Sequence, residues 1–401
     1  MSQAAVGKAT VTWGQTGRAD GVRVTRLADT AANRAALAEA ARRDRLPSAL
    51  VDLGADVALL SGSRLATTSP VDNVEGLHVR AGRAVKVDGQ AGTVLTSDDG
   101  FAEIDASKVV VAVIDTGLDM AHPAFAGRVV APFNAVDGSR DVTDKLGHGT
   151  AVAGVIAGAR GLRSDTAGVA ANARIMPIKA FNDKGLAEPK DVARGIDHAV
   201  RHGAKVINLS LGANEATLRK LGLWDQVPAL EAAIARARKA GVLVIAASGN
   251  DGRKAMADYH PAQGEDVLAV GAINRRRSRA GFSNAGKELD LTAPGVDVLT
   301  TKPGKGRPSY ARTSGTSFAA PYVAGVAALV MAQHPGWTVA QVEAHLRRAV
   351  TDRGAPGRDE AFGHGAIDAR KAAFEPSLPA QPRPAGGPTW QERLQEFFCL
   401  Q

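Results

Sequence analysis

From Val109 onward, short runs of β-branched and apolar residues alternate with longer stretches in which apolar positions recur every three or four residues. The short runs Val109–Ile114, Arg174–Lys179, Lys205–Leu209, Val242–Ala247 and Val267–Val270 read as strands. The longer stretches Thr150–Ala157, Asp191–His202, Leu230–Ala240, Phe318–Gln333 and Thr338–Ala349 read as helices, the last opening with the capping-box pair Thr338 and Gln341. This alternation predicts an α/β fold: a doubly wound, mostly parallel sheet with helices on both faces.

The texture changes at both ends. Ala31–Arg43 is alanine-rich and helical in pattern, and Gly76–Leu95 is a glycine-punctuated β-like stretch. Residues 1–100 are therefore expected to form a small separate α+β region. The large α/β domain then spans 101–374. Residues 375–389 form a proline-rich linker, and 390–401 a short amphipathic helix. Thr389 and Glu392 set a second capping-box spacing, and Trp390, Leu394, Phe397 and Phe398 share one helical face. Such a face docks on its own domain or on a partner.

Composition narrows the function classes. Hydrophobic residues at 45% and charged residues at 22% of 401 fit a globular chain with a sizeable core. No apolar run approaches the roughly 18 residues of a spanning helix, so no membrane span is expected. The net charge of +8 raises the question of nucleic acid. However, the densest basic run, Arg275–Arg277 with Arg279, is short and lacks interleaved aromatics, so no nucleic-acid partner is expected. The single cysteine, Cys399, cannot form an internal disulfide, and Met1–Thr10 carries no apolar signal core. A cytoplasmic location is expected, with non-classical export as the alternative.

Three polar residues fall where such a sheet places reactive groups, at strand ends or at the starts of the following helices. Asp115 ends the first strand, His148 stands between Gly147 and Gly149, and Ser317 follows Gly315-Thr316. Singly, each has a bland reading as a turn, a loop residue or an N-cap. Together they supply a hydroxyl nucleophile, an imidazole to take its proton and a carboxylate to orient the imidazole, the set that acyl transfer needs.

Their surroundings resemble the subtilisin-like serine proteases. Val111–Asp119 (VAVIDTGLD), Gly147–Gly154 (GHGTAVAG) and Gly315–Gly325 (GTSFAAPYVAG) look like that family's three signature blocks, in its Asp, His, Ser order. Shorter matches at Gly168–Ala171, Ile207–Gly212, Ala246–Gly252, Phe282–Asn284, Ala293–Val296 and Gly363–Asp368 extend the likeness over roughly residues 101 to 374. The resemblance implies a serine endopeptidase with Asp115, His148 and Ser317 as its triad, Asn250 as oxyanion donor and no cofactor. It implies a peptide or protein substrate added as an extended strand along Ser210, Leu211 and Gly212, with Gly185 on the other side. Asp251 and Asp258 lie near the expected primary pocket and suggest a Lys or Arg preference, or else are solvated surface carboxylates. Calcium ligands familiar in the family are lacking: Ala124 follows His122-Pro123, and Ala159–Ala167 offers mainly Asp165, so no high-affinity metal site is expected.

The N-terminal region stands where many relatives carry an inhibitory propeptide. It is expected to be either such a zymogen segment, cut near residues 95–107 with Leu95–Asp98 flexible, or a permanent accessory domain. Two rival readings remain: an α/β-hydrolase esterase using Gly315–Ala319 with His334, His345 or His364, and a protease-like module that is autoinhibited or serves only binding. The first needs a central strand at Ser309–Ser314, a poor candidate, and leaves the Asp115 and His148 blocks unexplained. A dedicated processing role is expected over general degradation.

Overall fold

A computed structural model describes residues 104–374, except 160–166, 253–255 and 305, and the strands with a few single positions among the first 98 residues. The linker at 375–389 and the expected C-terminal helix at 390–401 lie outside the described residues. Nine strands form the main sheet: β1 (Val110–Asp115), β2 (Phe133–Asn134), β3 (Arg174–Lys179), β4 (Val206–Leu209), β5 (Leu243–Ala247), β6 (Leu268–Ile273), β7 (Leu291–Pro294), β8 (Val350–Thr351) and β9 (Ala366–Ile367). Their spatial order is β2, β3, β1, β4, β5, β6, β7, β9, β8, parallel throughout except for the last pair. The fold is the expected doubly wound α/β sheet.

Alternation along β1 explains the two layers. Val111 and Val113 join a buried cluster with Val152 and Ile156 of α1 (His148–Ala157) and Val323 and Val326 of α4 (Thr316–Gln333). Ala112 and Ile114 face the other way, toward Val192 and Ile196 of α2 (Pro189–Arg201) and Leu230 and Ile234 of α3 (Val227–Lys239). By length and hydropathy α4 would reach across a membrane, yet 78% of it is buried inside the protein, which makes it a core helix. The helix α5 (Val339–Arg348) starts as expected, with Thr338 and Gln341 closing a capping box.

The other helices begin earlier than the apolar pattern indicates. Prolines in the first turns of α2 and α3 extend those helices to Pro189 and Val227, since proline suits that turn. α1 and α4 begin two residues early, at His148 and Thr316. Ser309–Ser314 is no central strand. Tyr310–Thr313 pairs antiparallel with Val298–Thr301 in a separate ribbon, so Ser317 is not on the strand-to-helix elbow of an α/β-hydrolase.

In the N-terminal region, Ala5–Trp13, Gly17–Ala28, Asp56–Ser61, Ser48–Asp52, Gln90–Asp98 and Ala84–Val87 close, in that order, into an antiparallel barrel. The helix expected at Ala31–Arg43 lies mostly outside the described residues, with Asn33, Ala36 and Leu37 helical. Leu95–Asp98 is not a loose segment: it belongs to the strand Gln90–Asp98, where Thr96, Ser97 and Asp98 pair with Leu50, Ala49 and Ser48. Ladder hydrogen bonds hold that backbone, so a protease would have to peel the strand away first.

A half-buried cation joins the turn after β1 to the segment behind α1. The Arg128 guanidinium donates to the carbonyls of Ala157 (2.6 Å), Ala171 (2.5 Å), Ala173 (3.3 Å) and Ala124. Ala124, which stands where the resembled family carries a calcium-binding Asp, turns its carbonyl to this guanidinium. Among the described residues no cluster of three or more His, Cys, Asp or Glu is arranged to hold a metal ion. Arg128→Met keeps the bulk and removes the guanidinium donors of the Ala157, Ala171 and Ala173 carbonyls, while Ala124 O keeps Ala159 N, at a cost of about 2–3 kcal/mol. Thermal melts in an inactive background are expected to fall by roughly 5–10 °C. An unchanged melting temperature would refute this role.

Candidate active site

Asp115, His148, Asn250 and Ser317 converge at the carboxyl edge of the sheet, where β1 sits between β3 and β4. Asp115 is fully buried as the last residue of β1. His148 opens α1, and its ring reaches Asp115 because the two backbones nearly touch: a Cβ on Gly149 would lie 2.2 Å from Gly117 O. The His148 Nδ1 lies 2.8 Å from Asp115 Oδ1 and 3.0 Å from Oδ2, while Thr116 N donates to Oδ1 at 2.7 Å. Nδ1 is thus committed to the carboxylate, which leaves Nε2 for other chemistry.

Burial pushes the His148 pKa down, but the Asp115 charge, the hydrogen bond to Asp115 and the charge of Asp144 more than offset it. The result stands above the ordinary histidine value. Asp144 escapes sequence reasoning, since one acid in the polar run Asp141–Lys145 carries no distinguishing signal. Its Oδ1 accepts from Thr116 Oγ1 (2.8 Å), Gly147 N (2.7 Å) and Leu146 N (3.2 Å), and its Oδ2 from Thr150 N (2.8 Å) and Thr150 Oγ1 (2.7 Å). One buried carboxylate thereby ties the end of β1 to the loop and helix that carry His148.

Ser317 lies in the first turn of α4, with Oγ 3.4 Å from Ser210 O. In return, Ser210 Oγ donates to the Ser317 carbonyl at 2.8 Å. The His148 ring packs against Phe318, the next residue, at 5.6 Å. Asn250 follows Gly249 on the exposed loop after β5, and its Oδ1 accepts from Thr316 N at 2.9 Å and Thr316 Oγ1 at 3.1 Å. With its oxygen so engaged, Nδ2 is the donor left to face the cleft beside Gly315.

The remaining site candidates separate into two groups. Gly185, Leu211 and Gly212 line one apolar cavity of about 230 Å³, along with Leu218 and Leu223, so the two segments expected to flank an extended substrate do face each other. Gly185 takes φ +78° at the turn, closed by Gly185 N donating to Asn182 O. Asp251 and Asp258 are engaged separately. Asp251 is exposed and bonds Asn284 through its own N–H (3.0 Å) and Oδ2 (3.2 Å), while the Asp258 carbonyl accepts from Glu215 N. His334 stacks on Trp337, and His345 Nε2 meets Ala372 O, which gives both a packing role.

A buried carboxylate holding an imidazole, whose ring packs on the residue after a helix-start serine, brings together the group types that serine hydrolysis uses. Comparison with known proteins narrows this class. The model of the subtilase family matches residues 106–365. The chain is 38% identical over 269 residues to an alkaline protease of Alkalihalobacillus alcalophilus, covering 67% of this chain and 65% of that protein. Subtilisin Savinase of Lederbergia lenta is also 38% identical, with 92% of its length covered. Among solved structures, a lanthipeptide protease superposes with a TM-score of 0.61 at 30% identity, covering 68% of this chain and 89% of that one. The chain belongs to the subtilase family.

Proposed function

We propose that the protein is a serine endopeptidase that hydrolyses peptide bonds through an acyl-enzyme. The observation that carries this is the fully buried Asp115 holding His148 Nδ1 by both oxygens, with the His148 ring packed on Phe318, the residue that follows Ser317. His148 Nε2 accepts the Ser317 Oγ proton as that oxygen attacks the scissile carbonyl. Asp115 keeps the proton on Nδ1 and stabilises the imidazolium. Asn250 Nδ2 and the Ser317 backbone N–H donate to the oxyanion. The imidazolium then protonates the departing amine, and a water repeats the cycle to release the acid. Ser210, Leu211 and Gly212 on one side and Gly185 on the other offer main-chain partners to an extended peptide. The apolar cavity between them supplies side-chain choice, which favours a dedicated processing role over general digestion.

The general base must be neutral to act, so activity is lost as pH falls through the His148 pKa. Because that pKa is raised, the acid limb of kcat/KM on a casein substrate is expected above the ordinary histidine value. Asp144→Asn removes one of the upward influences, so its limb is expected at lower pH, with reduced thermal stability because Asn offers one acceptor oxygen to five donors. A rate flat between about pH 5 and 9 would count against His148 as the base.

A further inference from the structure

We infer that Tyr259 closes the primary specificity gap, so that cleavage follows a residue with a small side chain, glycine, alanine or serine. The inference rests on the peptidase reading above. Strands β4 and β5 are parallel neighbours, paired at Leu209 and Ala246, and the loops leaving them, Ser210–Gly212 and Ser248–Asn250, flank Ser317. A scissile carbonyl placed on Ser317 Oγ with its oxygen at Asn250 Nδ2 belongs to a residue whose side chain enters the space between these loops.

The Tyr259 ring occupies that space. A Cβ on Gly249 would lie 2.5 Å from Tyr259 Cζ and 2.8 Å from Cε2, and a Cβ on Gly212 would lie 2.6 Å from Cε1. The ring therefore touches both walls and leaves no room for a side chain on either glycine. Its hydroxyl donates to Gly212 O at 3.2 Å, holding the ring across the gap. Pairing of Tyr259–His260 with Ala213–Asn214 anchors the backbone on the same side. A benzyl or long basic side chain meets the phenol where it needs depth. Of the acids that suggested a basic pocket, Asp251 is exposed and bonds Asn284 rather than the tyrosine.

The test is a peptide library varied at the residue before the cut, read by mass spectrometry, for wild type, Tyr259→Gly and Tyr259→Phe. A fluorophosphonate probe is added to each to report the active serine. Wild type is expected to favour Ala over Phe by about 100-fold or more in kcat/KM. Tyr259→Gly is expected to raise the Phe-to-Ala ratio by about 100-fold, whereas Tyr259→Phe, which keeps the ring, retains the small-residue preference. A probe-labelled wild type that cleaves readily after Phe, Leu, Lys or Arg overturns the role of Tyr259 and leaves the peptidase reading intact; this outcome does not depend on either variant folding. Failure of wild type to take the probe or cleave any peptide overturns both.

Discussion

Ser317→Ala is expected to lower peptide turnover by on the order of 10⁶, the loss that removing the corresponding serine causes in subtilisin. The loss follows because alanine removes the atom that forms the acyl bond, and nothing else at the carboxyl edge replaces it. The fold is expected to survive. In the resting protein the hydroxyl makes a single long contact, 3.4 Å to Ser210 O, so its removal costs less than about 1 kcal/mol. Ser210 keeps its own bond to the Ser317 carbonyl, which is main chain and unaffected. Circular dichroism and thermal melting are expected to match wild type while casein hydrolysis disappears. Activity within tenfold of wild type would remove Ser317 from the chemistry.

Asp115→Asn is expected to cost about 10⁴ in turnover with the backbone unchanged. The carboxylate accepts from Thr116 N through Oδ1 at 2.7 Å and from His148 Nδ1 through both oxygens, Oδ1 at 2.8 Å and Oδ2 at 3.0 Å. An asparagine can satisfy Thr116 with its oxygen, but its amide then donates toward Nδ1. That places the imidazole proton on Nε2, so the nitrogen that should receive the serine proton already carries one. The pH profile separates this from simple misfolding. Without the Asp115 charge, burial acts on His148 with less opposition, its pKa falls, and the residual activity loses its acid limb at lower pH than wild type does. A residual profile with the wild-type limb would contradict the coupling of these two residues.

The layered sheet was legible because β-branched runs and helical periodicity alternate without interruption from Val109, and each expected strand lies on or within a residue or so of its place apart from β6. That strand runs on to Ile273, past the expected end at Val270. β7 was missed because Leu291–Pro294 contains proline, which argues against a central strand unless the neighbouring register tolerates it. The helix Glu215–Lys220 was hidden by its length, too short to show a period. At the site, Asp115, His148, Asn250 and Ser317 could be chosen from sequence because glycines and signature blocks surround them. Asp144 and Tyr259 could not. The first acts by joining Thr116, 28 positions before it, to Leu146, Gly147 and Thr150 just after it, and the second by the place of its ring between glycines 47 and 10 positions away, a juxtaposition set by β4 and β5. Arg128 is similar: its four carbonyl partners belong to segments brought together behind α1.

The most direct test of the central claim is the intact mass of wild type and Ser317→Ala after exposure to a fluorophosphonate, with the adduct mapped by peptide sequencing. One adduct on wild type, located at Ser317, and none on the variant is the predicted result. Equal labelling of both proteins, or no labelling of wild type under conditions where it is folded, would contradict the assignment of Ser317 as an activated nucleophile.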